Sequence, residues 1–389
     1  MKRIVSFFAA LLVVAGCCSQ KVEDVKNVIY LIGDGMGIGS VTTLLTLTDS
    51  CGFEMECPAI GLSETYSVDN YATDSAASGT ALATGTKTNN GSMGMGPDGE
   101  NLESILDVAE KLGKKTGIVV NLGVVEATPG AFYAYVKSRN EKYTIAEQMT
   151  GCGVDVVIGG GINFFNERPD STDLIAKMKD DGYDIYTDWA EIATTESAKF
   201  IGLLPNEVIH RRNTTGAQAS GDERGAACEA ALMAADDGLV DLKDATIRPE
   251  EYLEKAVSKA LGTLSRTSDN GYFLMIESGI IDGYNHNNDQ EGLKAEMLEF
   301  NATLTMLVKY VSSHPNTLLV VTADHDTGGV GITYGDRAKE EMSLVYTGHG
   351  HTGNMVPIFA WGAGKENFRG IMKNSDIAIK IKALLNEQI

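Results

Sequence analysis

Five short apolar runs constrain this chain more than any other feature: residues 28–32 (VIYLI), 117–120 (GIVV), 154–158 (VDVVI), 272–276 (YFLMI) and 318–321 (LLVV). Runs of this length without strict alternation suit strands buried on both faces, as in a parallel sheet. Helical patterns separate them. Within residues 291–311, Leu293, Met297, Phe300, Leu304, Leu307 and Val311 recur at helical spacing, with Glu291, Lys294, Glu296 and Glu299 on other faces. Leu102, Ile105, Leu106, Ala109 and Leu112 form a second stripe, which stops at Gly113, a suitable residue to end a helix. Alternating strand and helix predicts an α/β fold with a large, mostly parallel sheet and helices on both sides.

With 389 residues, 43% of them apolar, the chain can bury a large core. No repeat or proline-rich linker divides residues 27–389, which read as one domain with an insertion near 200–250, where the period is lost. Ahead of it, Lys2 and Arg3 precede an apolar run, residues 4–15, too short to span a bilayer and typical of a secretion signal. Cys17, directly after Val14, Ala15 and Gly16, resembles the lipidated cysteine of bacterial lipoproteins. That implies a signal over residues 1–16, a tether over 17–26, and an exported envelope protein, periplasmic or outer-membrane associated, held to the membrane by its N-terminal lipid.

Export permits disulfides. Cys51 and Cys57 are expected to close a small loop, whereas a pairing of Cys152 with Cys228 stays open. A net charge of −21 makes nucleic acid and anionic lipid surfaces poor partners. It also suggests that some carboxylates serve cations.

The first apolar run leads into GDGMGIGS, residues 33–40, whose glycines could cradle a pyrophosphate. The spacing fails, because Ile38 or Ser40 stands where the third glycine of a dinucleotide fingerprint belongs. Asp34 would also repel a phosphate unless a cation stood between them. Two other runs likewise end in acids, at Glu277 and Asp324. In open parallel sheets the carboxyl ends of strands line the ligand crevice. Each acid could merely cap a helix, but three acids with histidines nearby favour metal, since a buried carboxylate without a counter-charge is too costly to hold ionised.

Of the six histidines, His286 lies four residues after Asp282, His325 adjoins Asp324, and His351 has His349 close by. His210 and His314 have no such company and read as surface residues. Carboxylate with imidazole suits zinc, and Glu277 with a hydroxyl and water suits magnesium. Ser75 stands where a helix of small residues should begin, a place that favours an anion, and beside cations it is a nucleophile candidate. Arg139 could clamp two phosphoryl oxygens with its planar fork, and Thr128 offers a hydroxyl ligand.

Taken together and in this order, LIGDGMG, TDSAASGTALATG, ATPGAFYAYVKSR, FLMIESGIIDGYNH, TADHDTGG and HTG resemble the alkaline phosphatase family over nearly the whole mature chain. The resemblance implies a three-layer sandwich, two zinc ions and one magnesium, and hydrolysis of small phosphate monoesters through a phosphoserine. Asp282, His286 and His351 match the ligands of the first zinc; Asp34, Asp324 and His325 match those of the second. Asp34, Thr128 and Glu277 match the magnesium ligands, Ser75 the nucleophile and Arg139 the phosphate clamp. Two positions depart from the family. Glu126 stands where Asp or His is common, and is expected to receive water on the magnesium or to bind it. Gly283 stands where Lys or His is common, so a cation is missing. The resemblance also allows a homodimer, although residues 331–348, where some relatives carry a large insertion, are short here. The alternatives are a phosphodiesterase of the same superfamily and a non-catalytic phosphate-binding lipoprotein. A sulfatase would need an arginine that is absent both after Cys57 and after Ser75.

Overall fold

The computed structural model describes residues 24–205, 209–210, 246–247, 251–339 and 341–386. The leader, Cys17, Cys228 and most of the expected insertion lie outside them. A ten-stranded sheet runs through the described residues. In chain order its strands are β1 (Asn27–Gly33), β2 (Ala59–Glu64), β3 (Lys115–Gly123), β4 (Val156–Gly160), β5 (Asp184–Tyr186), β6 (Phe200–Leu204), β7 (Tyr272–Ser278), β8 (Thr317–Thr322), β9 (Val356–Gly362) and β10 (Gly370–Lys373). Their spatial order is β10-β2-β9-β8-β1-β7-β3-β4-β6-β5.

The five apolar runs became five adjacent strands, β8, β1, β7, β3 and β4, all parallel. Their side chains alternate between two cores. Val28, Tyr30 and Ile32 enter one, and Ile29 and Leu31 enter the other. Both sets are fully buried, which is why these strands read as runs without a polar face. The first core is covered by helices Ser75–Thr84, Ile105–Lys111 and Asn374–Asn386. The second is covered by Ile38–Leu47, Tyr252–Thr267 and Gln290–Ser313. The result is three layers, as expected.

Residues 200–204, placed by the sequence in the irregular insertion, instead form β6, a buried strand between β4 and β5. The expected Cys51–Cys57 loop is also absent, both thiols being free. A one-turn helix, Gly52–Glu54, follows Cys51 and turns its thiol into the core beside Phe53. Cys57 is exposed, with a left-handed backbone at φ 47°.

Register places the acids. Ile32 of β1 is level with Thr322 of β8 and with Glu277 of β7. Asp34 and Asp324, each two residues further on, therefore emerge side by side above Glu277. β9 runs antiparallel to β8, so it begins at this same edge. The short segment His351–Thr352, just before β9, pairs with Asp326–Thr327, just after β8. That ribbon brings His351 to the carboxylates.

Candidate metal centre and nucleophile

None of the three acids is a helix cap. The helices that follow Asp34 and Glu277 start at Gly37 and Gly279, without a side-chain cap, and Asp324 leads into the ribbon. All three are buried. Asp34 Oδ1, Asp324 Oδ2 and both Glu277 oxygens accept no hydrogen bond, nor does Thr128 Oγ1 have a partner. Such groups cost several kcal/mol each unless something else satisfies them.

Two sets of ligand atoms converge here, each with all members within 4.8 Å of one another: Asp282, His286 and His351, and Asp34, Asp282 and His325. Within the first, His286 Nε2 lies 3.2 Å from Asp282 Oδ2 and 3.2 Å from His351 Nε2. In the second, His325 Nε2 lies 3.2 Å from Asp324 Oδ2 and 3.5 Å from Asp34 Oδ1. Asp324 thus stands with His325 as the sequence expected, while Asp282 reaches both sets.

Every imidazole turns its other nitrogen to an acceptor. His351 Nδ1 lies 2.8 Å from the Thr73 carbonyl, His286 Nδ1 bonds the His349 carbonyl, and His325 Nδ1 is 3.1 Å from Thr327 Oγ1. A proton on each Nδ1 satisfies these contacts and leaves the three Nε2 lone pairs facing inward, the arrangement of metal-ligating histidines. Asp324 is held similarly: its Oδ1 accepts from the Gly35 and His325 amides, and only Oδ2 faces the centre.

The charges make the same point. Burial, then repulsion from Asp324, Asp282 and Glu277, holds the Asp34 carboxyl well above its ordinary range. Burial and the Asp324 charge push Glu277 up to about 8, and burial and Asp282 push Asp324 up to about 6. Asp282 is the exception. Burial pushes it up as well, but His286 and His351 more than offset this and hold it low. The set cannot ionise fully without cations, and its donors fit zinc and a harder ion.

Ser75 begins helix Ser75–Thr84, capped by Asp74, whose carboxylate accepts from the Ala77 amide at 2.9 Å. Ser75 Oγ is 3.1 Å from His325 Nε2. Small residues let this helix sit close to its neighbours: a methyl on Gly79 would lie 3.1 Å from Thr128 Cα. Arg139 is mostly buried and reaches Asp74, Nη1 lying 3.6 Å from Oδ2. Its charge also acts on Asp34 and Glu277, so it belongs to the site rather than to a surface ion pair.

Glu126 meets a cation of this chain, its Oε1 being bonded to Lys142 Nζ. Its charge still reaches Glu277 and raises it. Gly283 lies on helix Ile280–His286, and an added Cβ there would meet nothing within 4 Å. His314 is exposed and stacks on Tyr310; the His210 side chain lies outside the description. Sequence reasoning missed Asp74, Thr327 and the two carbonyls behind the histidines. The one available signal was Asp74, an Asp at a helix start.

Comparison with known proteins identifies the family. The alkaline phosphatase family model matches residues 25–344. Alkaline phosphatase 4 of Bacillus subtilis is 25% identical, the match covering 94% of this chain and 89% of that protein. The alkaline phosphatase of the Antarctic bacterium TAB5 is 29% identical, with a TM-score of 0.78 over 94% of this chain and 99% of that one. A variant of that enzyme with magnesium bound in its M3 site is 28% identical, with the same TM-score and the same coverage. The chain belongs to the alkaline phosphatase family and is a metal-binding hydrolase of phosphate monoesters.

Proposed function

We propose that the chain hydrolyses small phosphate monoesters in two displacements, through a phosphoserine at Ser75, with two zinc ions and one magnesium. The carrying observation is that Ser75 Oγ meets His325 Nε2 at the N-terminus of its helix, where Asp34 and Asp324 also converge. Asp282, His286 and His351 would hold one zinc, and Asp34, Asp324 and His325 the other. Thr128, Glu277 and Asp34 would hold the magnesium. When bound, these ions act as Lewis acids that lower the pKa of the serine hydroxyl and stabilise charge on the phosphoryl oxygens.

The residues of the chain supply position. Ser75 Oγ attacks phosphorus as its proton passes to solvent, the ester P–O bond breaks, and the departing alkoxide on the side of Asp282 and His351 takes a proton from solvent to leave as the alcohol. Water then attacks the phosphoserine and frees Ser75 and inorganic phosphate. Arg139, steadied by Asp74, holds two phosphoryl oxygens through both steps.

The sequence supports the rest of the reading: export, a lipid on Cys17 and an envelope location. Among the described residues no helix is long and apolar enough to cross a membrane.

The test uses an aryl phosphate with and without chelator, together with acid quenching in labelled phosphate. Chelation should abolish turnover, zinc with magnesium should restore it, and label should appear on Ser75 and vanish in Ser75→Ala. Full turnover by metal-free protein, or label on another residue, refutes the reading. The phosphodiesterase alternative is decided by offering an aryl diester in parallel.

A further inference from the structure

Thr327 is fully buried and touches both sets of ligands. Its Oγ1 donates to Asp282 Oδ1 at 2.5 Å and lies 3.1 Å from His325 Nδ1. With one proton to give, the hydroxyl gives it to the carboxylate, so toward the imidazole it can only accept. His325 must then carry its hydrogen on Nδ1 and none on Nε2, and Asp282 must keep one oxygen turned to Thr327. The same residue pairs through its backbone with His351, on the ribbon that places that histidine. One residue therefore bears on three ligands from separate parts of the chain, on Asp282 and His325 through its hydroxyl and on His351 through its backbone.

The neighbouring backbone leaves room for this contact and little else. Gly35 has a φ of +65°, and a methyl on it would lie 2.7 Å from Asp282 Oδ1 and 2.8 Å from Thr327 Oγ1. The Thr327 amide also donates to the Gly35 carbonyl at 3.3 Å. The second glycine of the GDG turn thus keeps clear the space in which hydroxyl and carboxylate meet.

From this geometry we infer that Thr327 is a positioning residue shared by the two zinc sites, its hydroxyl tying Asp282 of one to His325 of the other so that both lose metal when it is removed. The inference rests on the ligand assignment proposed above. Deleting the hydroxyl leaves Asp282 Oδ1 without its donor and lets the His325 ring move its proton to Nε2, the nitrogen that must face the metal. Removing a partner behind a ligand typically weakens metal affinity 10–100-fold. Here both sites should weaken together, whereas a change at His286 should weaken one.

The test is zinc retention. Zinc-loaded wild type, Thr327→Val, Thr327→Ser and His286→Ala are equilibrated with graded chelator, and zinc per chain is counted by elemental analysis. Val keeps the shape without the hydroxyl; Ser keeps the hydroxyl without the methyl. Thr327→Val should lose both zinc ions at about 10–100-fold lower chelator strength, Thr327→Ser should follow wild type, and His286→Ala should lose one ion early. Should Thr327→Val not fold, Thr327→Ala is the second hydroxyl-free variant, with the same expectation. Wild-type retention in the hydroxyl-free variant, loss of one ion only, or a Ser variant as weak as Val overturns the inference. Wild-type protein that takes up no zinc overturns the ligand assignment itself, so the two failures are distinct.

Discussion

Stripping the metals should invert the way stability depends on pH. Burial and mutual repulsion raise Glu277 from 4.5 to about 8 and Asp324 from 3.8 to about 6. A carboxyl raised on folding is protonated in the folded chain when the unfolded chain has already lost its proton. Its contribution to stability is complete below the unfolded value and is lost as pH rises through the folded one. Metal-free protein should therefore weaken from about pH 4 upward and reach its low plateau above about pH 8. Asp34, also raised, acts in the same direction.

The size follows from about 1.4 kcal/mol for each pH unit that separates the two states of one group. Glu277 then bounds the loss at about 5 kcal/mol and Asp324 at about 3 kcal/mol, and water entering the emptied centre should halve both. An unfolding entropy of about 2 cal/mol/K per residue turns the remaining ~4 kcal/mol into a Tm lowered by about 5 °C for a chain this long. Metal-loaded protein should not show this fall, because cations bind the deprotonated carboxylates and gain affinity as pH rises. Calorimetry of loaded and chelated samples across about pH 4 to 9 makes the comparison. A metal-free Tm that holds level or climbs over that span would refute the claim that buried, unpaired carboxyls dominate the centre.

Gly283→Lys starts from open space, since an added Cβ meets nothing within 4 Å outside the adjoining residues and the backbone of its own helix. It should restore the cation missing beside the phosphate and tighten competitive inhibition by inorganic phosphate about tenfold, a charge-assisted contact being worth on the order of 1.5–3 kcal/mol. Unchanged inhibition with the fold intact would mean that the missing cation is without effect. The Glu126–Lys142 pair should set the magnesium requirement. Lys142→Met leaves an unpaired acid near Glu277 and should lower the magnesium needed for full activity, and Glu126→Gln should raise it, each by about threefold to tenfold for partly buried charges. Shifts in the same direction would break the electrostatic account.

The central strands and most of the candidate ligands were legible in the sequence for one reason: each is costly anywhere else. A run such as VIYLI needs two buried faces. An acid at the end of such a run sits where a buried charge is tolerated only with a counter-charge, so strand ends pointed to Asp34, Glu277 and Asp324. β6, FIGLL, carries the same cost and was hidden only by the irregular stretch that follows it; the other missed strands lack that cost. β2 alternates buried with exposed or half-buried residues, β5 has three residues, and β9 carries Pro357 in its second position. Nor do the groups that aim the ligands leave a mark. Thr327 reaches Asp282 across 45 residues, and the Thr73 carbonyl meets His351 across 278. A hydroxyl or a carbonyl is acceptable almost anywhere on a surface, so its presence at one position carries no warning. Lys142, paired with Glu126 from 16 residues away, is as ordinary in sequence as any surface lysine. Residue types that are expensive to bury announce a site, and the cheap ones that hold it in shape appear only when the fold has brought them there.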